Sequence, residues 1–190
     1  MILIIVLLAA MVNSFAEGLT EDQKRSRMGQ LWTDVDEFAS THPRSRYSNS
    51  DFVGGLYDLV ADKYYWRDWL VVAYNDIRGN DKHQVRTCGG YIQFRNNGRN
   101  FLVASLDSDT PTLNLADARR SMHEVDTHKR KVWGRYYGRR DAEDVFDNLD
   151  KSGACSVGVI RCYNDLYYQY SSNRFAYVNR CPDYNIYMWG

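Results

Sequence analysis

The chain has 190 residues, of which 24 are basic and 24 are acidic, so its formal net charge is zero. A balanced chain lacks the global field that would attract nucleic acid or an anionic membrane, and no nucleic-acid partner is expected. Hydrophobic residues make up 44% and charged residues 25%, a composition typical of a folded globular protein and unlike that of a disordered chain.

The N-terminal sixteen residues have the pattern of a secretory signal peptide. Residues 2–12 are an unbroken apolar run, which is too short to span a bilayer. Ser14 and Ala16 supply the small residues required at a cleavage site, although no Lys or Arg precedes the run. We therefore expect residues 1–16 to be removed and residues 17–190 to form a single secreted domain. No later segment is apolar enough to predict a membrane span.

A first helix is predicted from a T-x-x-Q capping box formed by Thr20 and Gln23. It ends at His42, because the residue before a proline avoids helical backbone angles. Apolar residues recur at helical spacing along it and predict one stripe that faces the core. The stripe consists of Met28, Leu31, Trp32, Val35, Phe38 and Ala39.

A second helix is predicted after Ser50 or Asp51, either of which can cap it. Gly54 and Gly55 weaken this prediction, because each glycine costs about 1 kcal/mol relative to alanine in a helix. Its inward residues are expected to be Phe52, Leu56, Leu59 and Val60. Two further helices are predicted over residues 115–132 and 141–151 from the same spacing.

Alternating and β-branched apolar runs predict strands in the remaining chain. They cover residues 70–74, 91–95, 101–106, 157–163, 166–170, 175–179 and 184–189. The second and third runs flank residues 96–100, which contain Asn-Gly, and this predicts a β-hairpin. Residues 75–81 have the composition of a turn. Separate groups of helices and strands predict an α+β domain with a mainly antiparallel sheet and about four helices.

Four cysteines in a secreted chain favour two disulfide bonds, for which three connectivities exist. Cys155 and Cys162 flank a predicted strand and would be about 23 Å apart, too far for a disulfide. We favour Cys162 with Cys181 and Cys88 with Cys155. The first of these pairs requires Cys181 to lie beyond the end of its strand. Neither C-x-x-C nor C-x-x-H spacing occurs, so no metal site or cofactor is expected.

The sequence contains no complete catalytic or metal-binding motif. His123 and His128 are five residues apart, about 140° around a helix, whereas two zinc ligands on one face would be four apart. Residues 148–153 resemble the first half of an EF-hand loop, but Val159 occupies the position of the required Glu. His83, within a turn-like region, is the most plausible general base. A small secreted hydrolase is therefore one alternative for the function.

Residues 119–140 form the one concentrated basic segment, with aromatic residues interleaved. Such a segment can bind single-stranded nucleic acid or anionic glycans. The acidic segment that follows, residues 141–150, can neutralise it, so a solvent-exposed charged face is the favoured interpretation. Dibasic pairs also occur here and at Lys24-Arg25, but the regular helix and strand patterns between them argue against a precursor of short peptides.

The chain contains fifteen tyrosines, many of them near its C-terminus. Tyrosine suits binding surfaces, because it combines a rigid apolar ring with a hydrogen-bonding tip; it is also a good strand former. Strand alternation places Tyr168 and Tyr170 on one face and Tyr167 on the other, so at least one ring is expected to be exposed. We therefore predict that Tyr167, Tyr168, Tyr170 and Tyr177 contribute to a binding surface.

These patterns favour a secreted, non-enzymatic binding or structural protein. The expected partner is an extracellular protein or matrix, and the protein would belong to a matrix, a secretion or a covering. A secreted effector or toxin that acts on a host or prey protein is the other alternative, and expression confined to a venom or salivary gland would favour it.

Overall fold

A computed structural model describes part of the chain in detail. The described residues are 18–75, 82–86, 91–96, 98–106, 156–161, 166–171, 175–181 and 184–189, together with helical positions 116, 120 and 123. The helices with continuous bounds are α1 (Glu21–Met28), α2 (Leu31–Thr41) and α3 (Asn49–Lys63). The strands are β1 (Asp68–Asn75), β2 (Lys82–Arg86), β3 (Tyr91–Asn96), β4 (Arg99–Leu106), β5 (Ser156–Arg161), β6 (Tyr167–Tyr170), β7 (Phe175–Cys181) and β8 (Tyr184–Trp189).

The strands form two four-stranded sheets. The strand order is β3-β4-β1-β6 in the first sheet and β2-β5-β8-β7 in the second. Every strand pair is antiparallel. The predicted α+β class and antiparallel pairing are therefore confirmed, with the strands divided between two sheets.

The described core lies between α2, α3 and one face of the first sheet. Trp69, Tyr64, Phe52 and Phe101 are among its largest fully buried side chains. Strand alternation directs one set of β1 and β4 residues toward this core: Trp69, Val71, Ala73, Phe101 and Val103. The alternate residues Leu70, Val72, Leu102 and Ala104 are buried as well. Both faces of the two central strands are thus removed from solvent, which explains their nearly continuous apolar sequence.

The single first helix predicted from the sequence is divided into α1 and α2. The predicted capping box is confirmed: the backbone N–H of Gln23 donates to Oγ1 of Thr20 at 3.3 Å, and the backbone N–H of Thr20 donates to Oε1 of Gln23 at 2.9 Å. α1 ends at Met28 with Gly29 as its C-cap, and none of its residues is fully buried. Met28, its last residue, packs against the core while only partly buried, so most of the packing in this region comes from α2.

The prediction that Trp32 faces the core is wrong. Its side chain is 56% exposed, whereas Leu31, Val35 and Ala39 are buried. Residues four apart share a helix face, and Trp32 is turned about 100° away from Leu31. Phe38 is only partly buried at the edge of the same stripe. The buried stripe of α2 is therefore narrower than its apolar sequence pattern.

The cap of α3 is Ser48, two residues before the earlier of the two predicted caps. The backbone N–H of Asp51 donates to Oγ of Ser48 at 3.0 Å, and the Asp51 carboxylate accepts from the backbone N–H of Ser48 at 3.3 Å. The helix continues through Gly54 and Gly55. A Cβ atom on Gly55 would lie 2.9 Å from Cζ of Phe38. The second glycine therefore permits the ring from α2 to approach the α3 backbone closely.

A buried arginine, Arg99, fastens the segment between α2 and α3 to the first sheet. Its Nε donates to Oδ1 of Asn49 at 2.7 Å. Its Nη1 and Nη2 donate to the carbonyl oxygens of His42 at 2.9 Å and Tyr47 at 2.6 Å. The guanidinium carbon lies 4.2 Å from the centroid of the Phe52 ring, within the range of a cation–π contact. The start of β4 and the start of α3 are held together by these contacts.

The predicted hairpin is present and tighter than expected. Asn96 of β3 pairs with Arg99 of β4, so residues 97 and 98 alone separate the strands. Gly98 has a φ of +78°, a left-handed conformation that glycine adopts without steric cost. The Asn-Gly pair thus predicted the position of the turn correctly, but the predicted loop of residues 96–100 is longer than the two-residue connection in the structure.

The third predicted helix is described only at Ala116, Arg120 and His123, which are helical and exposed. The fourth predicted helix, residues 141–151, lies outside the described residues. No helix in the described part of the chain has both the length and the apolar character needed to cross a bilayer.

Replacing the two adjacent glycines of α3 tests the packing of α2 on α3. Gly54→Ala should stabilise the protein by up to about 1 kcal/mol, because alanine favours the helix and the nearest atom to its Cβ, Oε1 of Gln169, is 3.8 Å away. Gly55→Ala should be less stable than Gly54→Ala by about 1–3 kcal/mol, because its Cβ overlaps the Phe38 ring. Urea unfolding measures both variants. Equal stabilisation by the two would show that the ring is not held against Gly55.

Candidate functional site

Strand β6 presents three exposed tyrosines in four residues. Tyr167 is 42% exposed, and Tyr168 and Tyr170 are each 39% exposed. These are large exposures for aromatic side chains, and they confirm the prediction that at least one ring of this strand reaches solvent. We call these three residues the β6 tyrosine surface.

The register of β6 on β1 determines which way each ring points. Tyr168 lies opposite Val72 and Tyr170 opposite Leu70, so these two tyrosines share one face of the sheet. Tyr167 belongs to the other face, where α3 packs. The alternation predicted from the sequence is confirmed. The exposed rings therefore occupy both faces of a single strand.

The rings of Tyr168 and Tyr170 form a parallel pair. Their centroids are 6.0 Å apart and their planes differ by 1°. This separation lies within the 4.5–7 Å range of favourable aromatic pairs. A tyrosine ring has only two side-chain torsions, so a paired arrangement loses little further entropy when a partner covers it. The pair thus offers a pre-formed aromatic surface that is partly exposed to solvent.

Ser171 fixes the end of β6 against β1 and α3. Its backbone N–H donates to the Trp69 carbonyl oxygen at 3.0 Å. Its Oγ accepts from the backbone N–H of Trp69 at 3.1 Å and lies 3.1 Å from the Tyr57 hydroxyl. The Ser171 hydroxyl oxygen therefore accepts the hydrogen bond that the Ser171 carbonyl oxygen would accept if β6 continued to pair with β1. These bonds hold the end of β6, and with it the β6 tyrosine surface, against the buried strand β1.

Tyr177, the fourth predicted binding residue, belongs to a different sheet. It lies in β7, in the region where the register with β8 shifts between Ala176 and Asn179. Its side chain is outside the described residues. The described part of the structure therefore groups three of the four predicted tyrosines on one strand and assigns Tyr177 to another.

The prediction that His83 lies in a turn is wrong. His83 is in β2, where its backbone pairs with Ile160 of β5. The sequence KHQVR has one apolar residue, so its strand character comes from pairing and not from an apolar alternation. Its side chain, like His128 and the segment 148–153, is outside the described residues.

A polar cluster that the sequence pattern did not predict joins α2 to the end of α3. The hydroxyl of buried Tyr64 donates to Oδ2 of Asp34, and Nζ of Lys63 lies 2.6 Å from the same oxygen. Burial raises the pKa of Tyr64 above its usual range, and the hydrogen bond to the negatively charged Asp34 raises it further. The phenol therefore remains protonated at neutral pH and acts as a donor that links the two helices.

Metal chemistry has no candidate site in the portion of the chain with described side chains. There, no three His, Cys, Asp or Glu residues come together as a metal ion would require. The β6 tyrosine surface is thus the group of side chains on which a functional proposal can be based.

No protein-family model matches this chain, and comparison with curated proteins and with solved structures likewise gives no match. Any proposal for its function therefore depends on the residues of the chain itself.

Removing the Ser171 hydroxyl tests the anchoring of β6. Ser171→Ala should destabilise the protein by about 1–3 kcal/mol, because the backbone N–H of Trp69 loses its acceptor. Tyr57→Phe is the matched control, since it removes the other contact of Oγ and leaves the Trp69 bond intact. Urea unfolding gives the stabilities, and hydrogen exchange at the Trp69 amide should accelerate only in Ser171→Ala. Equal exchange in both variants would contradict this role for Ser171.

Proposed function

We propose that this protein is secreted and acts by binding an extracellular matrix protein through the β6 tyrosine surface. It would then serve as a structural or adhesive component of a matrix, secretion or covering. The N-terminal signal pattern supports secretion, and the exposure of Tyr167, Tyr168 and Tyr170 supports binding.

The exposure of three large aromatic side chains on one short strand is the observation that carries the proposal. Tyr168 and Tyr170 lie side by side on one face of the sheet, and adjacent exposed aromatic rings commonly mark an interaction site. Tyrosine is enriched among the residues that dominate binding energy, since its ring buries a large area and its hydroxyl can remain hydrogen-bonded. β6 contains no charged residue, so the surface suits an uncharged segment of a partner.

The support beneath these rings favours a binding surface over a flexible segment. Val72 and Leu70, the neighbours of Tyr168 and Tyr170 on β1, are fully buried. Ser171 then fixes the strand end through Trp69. A surface that is already ordered loses less conformational entropy on association, which raises affinity for a given contact area.

Secretion also supports disulfide bonding of the four cysteines, because disulfides form and persist in oxidising compartments. Cys88, Cys155 and Cys162 are outside the described residues, and Cys181 is the last residue of β7. The proposed mature protein is therefore an α+β domain with two disulfides, in which the β6 tyrosine surface remains exposed.

A paired substitution tests the proposal. Tyr168→Ser combined with Tyr170→Ser should weaken binding of the secreted full chain to matrix prepared from the secreting tissue. Two hot-spot tyrosines that together contribute about 2 kcal/mol correspond to a loss of about 30-fold in affinity. A sedimentation assay over a range of protein concentrations measures the dissociation constant of each variant.

Tyr65→Ser is the matched control. Tyr65 is 60% exposed but lies between α3 and β1, outside the β6 tyrosine surface, so its removal should leave the affinity unchanged. The single variant Tyr167→Ser provides a second test if the double variant is poorly secreted. Unchanged affinity in folded variants of β6 would overturn the proposal. A turnover that depends on His83, measured with His83→Ala, would favour the hydrolase alternative.

A further inference from the structure

The β6 tyrosine surface differs from most other described tyrosines in the access of solvent to its phenol rings. Its three rings are 39–42% exposed. By contrast, Tyr64 is buried, and the hydroxyl of Tyr57 lies 3.1 Å from Oγ of Ser171. Tyr65 is exposed as well, but it is a single exposed phenol beside the partly buried Trp66. In the described part of the chain, exposed phenols are therefore concentrated on β6.

We propose that the β6 tyrosine surface is a site of oxidative cross-linking, where a phenol of one copy becomes covalently joined to a β6 phenol of a second copy. The product is dityrosine, in which two tyrosine rings share a carbon–carbon bond. The inference rests on the proposed function, because it requires secretion into a matrix or covering. It extends that function, since a covalent junction is permanent whereas binding alone is reversible.

The oxidant that this reaction requires is hydrogen peroxide, acting through an extracellular peroxidase. Each of two phenols loses one electron and the proton of its hydroxyl group, which leaves a phenoxyl radical on each ring. The radicals couple at ring carbons ortho to the oxygens, and the hydrogen on each of these carbons then moves to the oxygen of the same ring. The two electrons and two protons reduce one molecule of hydrogen peroxide to two of water. Two tyrosines thus lose two hydrogen atoms and gain one carbon–carbon bond.

The absence of charge on β6 favours a second copy as the coupling partner. The strand consists of three tyrosines and one glutamine. Two copies that meet through β6 therefore bring no like charges of this strand together, whereas a charged strand would repel its own copy. The whole chain has a formal net charge of zero, so long-range repulsion does not oppose the encounter either. Each encounter also presents three phenols to three phenols, which raises the chance that two radicals meet.

The paired rings of Tyr168 and Tyr170 favour coupling between copies over coupling within one copy. Their centroids are 6.0 Å apart and their planes differ by 1°. A carbon–carbon bond between these two rings would require both to leave that arrangement, because the centroids of directly bonded rings are much closer. The ring of a second copy can instead approach either one from solvent. The closeness of the pair also allows an electron to pass between the rings, so a radical formed on one can react at the other.

The two faces of β6 allow more than one junction for each copy. Tyr167 projects from the face on which α3 packs, whereas Tyr168 and Tyr170 project from the opposite face. A copy that is joined through Tyr167 therefore retains a reactive pair on its other face. Molecules that can be bonded at two faces form chains and do not stop at dimers. The arrangement thus suits a covalently extended matrix.

Peroxidase treatment of the purified, full secreted chain tests the inference. The protein is incubated with peroxidase and hydrogen peroxide, and the products are separated under denaturing and reducing conditions. We expect a series of oligomers with dityrosine fluorescence that does not form without peroxide. After digestion with trypsin, fragment-ion spectra should assign the cross-links to Tyr167, Tyr168 or Tyr170 within the peptide of residues 162–174.

Phenylalanine variants separate the role of the phenol from that of the ring, because phenylalanine keeps the ring and lacks the hydroxyl that is oxidised. Replacing all three β6 tyrosines with phenylalanine should remove the higher oligomers and most of the dityrosine fluorescence. Tyr65→Phe is the matched control and should retain both. Tyr167→Phe alone should shift the products from higher oligomers to dimers, because its reactive rings share one face that the first partner covers.

Dityrosine located mainly outside residues 167–170, or an unchanged oligomer series in the triple variant, would overturn the inference. If the triple variant is not secreted, the peptide map of the unsubstituted chain and the products of Tyr167→Phe decide. Matrix from the secreting tissue is mapped in the same way, and linkage of residues 162–174 only to other proteins would overturn the assignment of a second copy. Matrix affinity is measured without peroxide, so failure of cross-linking and failure of the binding proposal remain distinguishable.

Discussion

The pairing of β6 with β1 is the constraint on which the tyrosine surface depends. β1 is a central strand of the first sheet and is buried on both faces, so its backbone polar groups need partners within the protein. β6 supplies such partners along one side of β1. The register that satisfies these groups also sets Tyr168 and Tyr170 on one face and Tyr167 on the other. Ordering of the tyrosines is thus a consequence of stabilising the centre of the sheet.

The helices reach the same sheet through two close contacts. Phe38 of α2 approaches the α3 backbone at Gly55, and Arg99 of β4 holds the segment before α3 through its carbonyl groups. A buried guanidinium is costly unless its donors are satisfied, and here each arm of the fork has an acceptor. These contacts determine how α3 covers Trp69, Val71 and Ala73. Loss of either contact would weaken the packing of α3 on the face of β1 opposite to the face that carries Tyr168 and Tyr170.

The local pattern of the sequence predicts most of the described elements and the alternation of the tyrosines. The hairpin was predictable because Asn-Gly encodes its turn within two residues, and the capping box at Thr20 because it is contained within four. The exposure of Trp32 was not predictable from the local pattern, because the width of a buried helix stripe depends on which neighbours pack against it. β2 was missed for a related reason, as a polar strand is defined by its partner β5 and not by its own composition.

The same distinction applies to the candidate site. The sequence predicts that tyrosines alternate on a strand, because a period of two is a local property. It does not predict that Tyr168 and Tyr170 are parallel and supported by Leu70 and Val72, since that requires the register between segments about 100 residues apart. Tyr177 shows the limit of prediction from local alternation, because it also lies in a tyrosine-containing strand but that strand, β7, belongs to the second sheet.

Chemical modification of tyrosine rings, compared between the free and the matrix-bound protein, tests the central claim most directly. Iodination followed by peptide mapping should modify Tyr167, Tyr168 and Tyr170 in the free protein, while buried Tyr64 serves as an unreactive internal reference. On binding to matrix, the three β6 rings should become protected while exposed Tyr65 remains reactive. Equal modification of the β6 rings in the free and bound states would contradict a binding role for this surface.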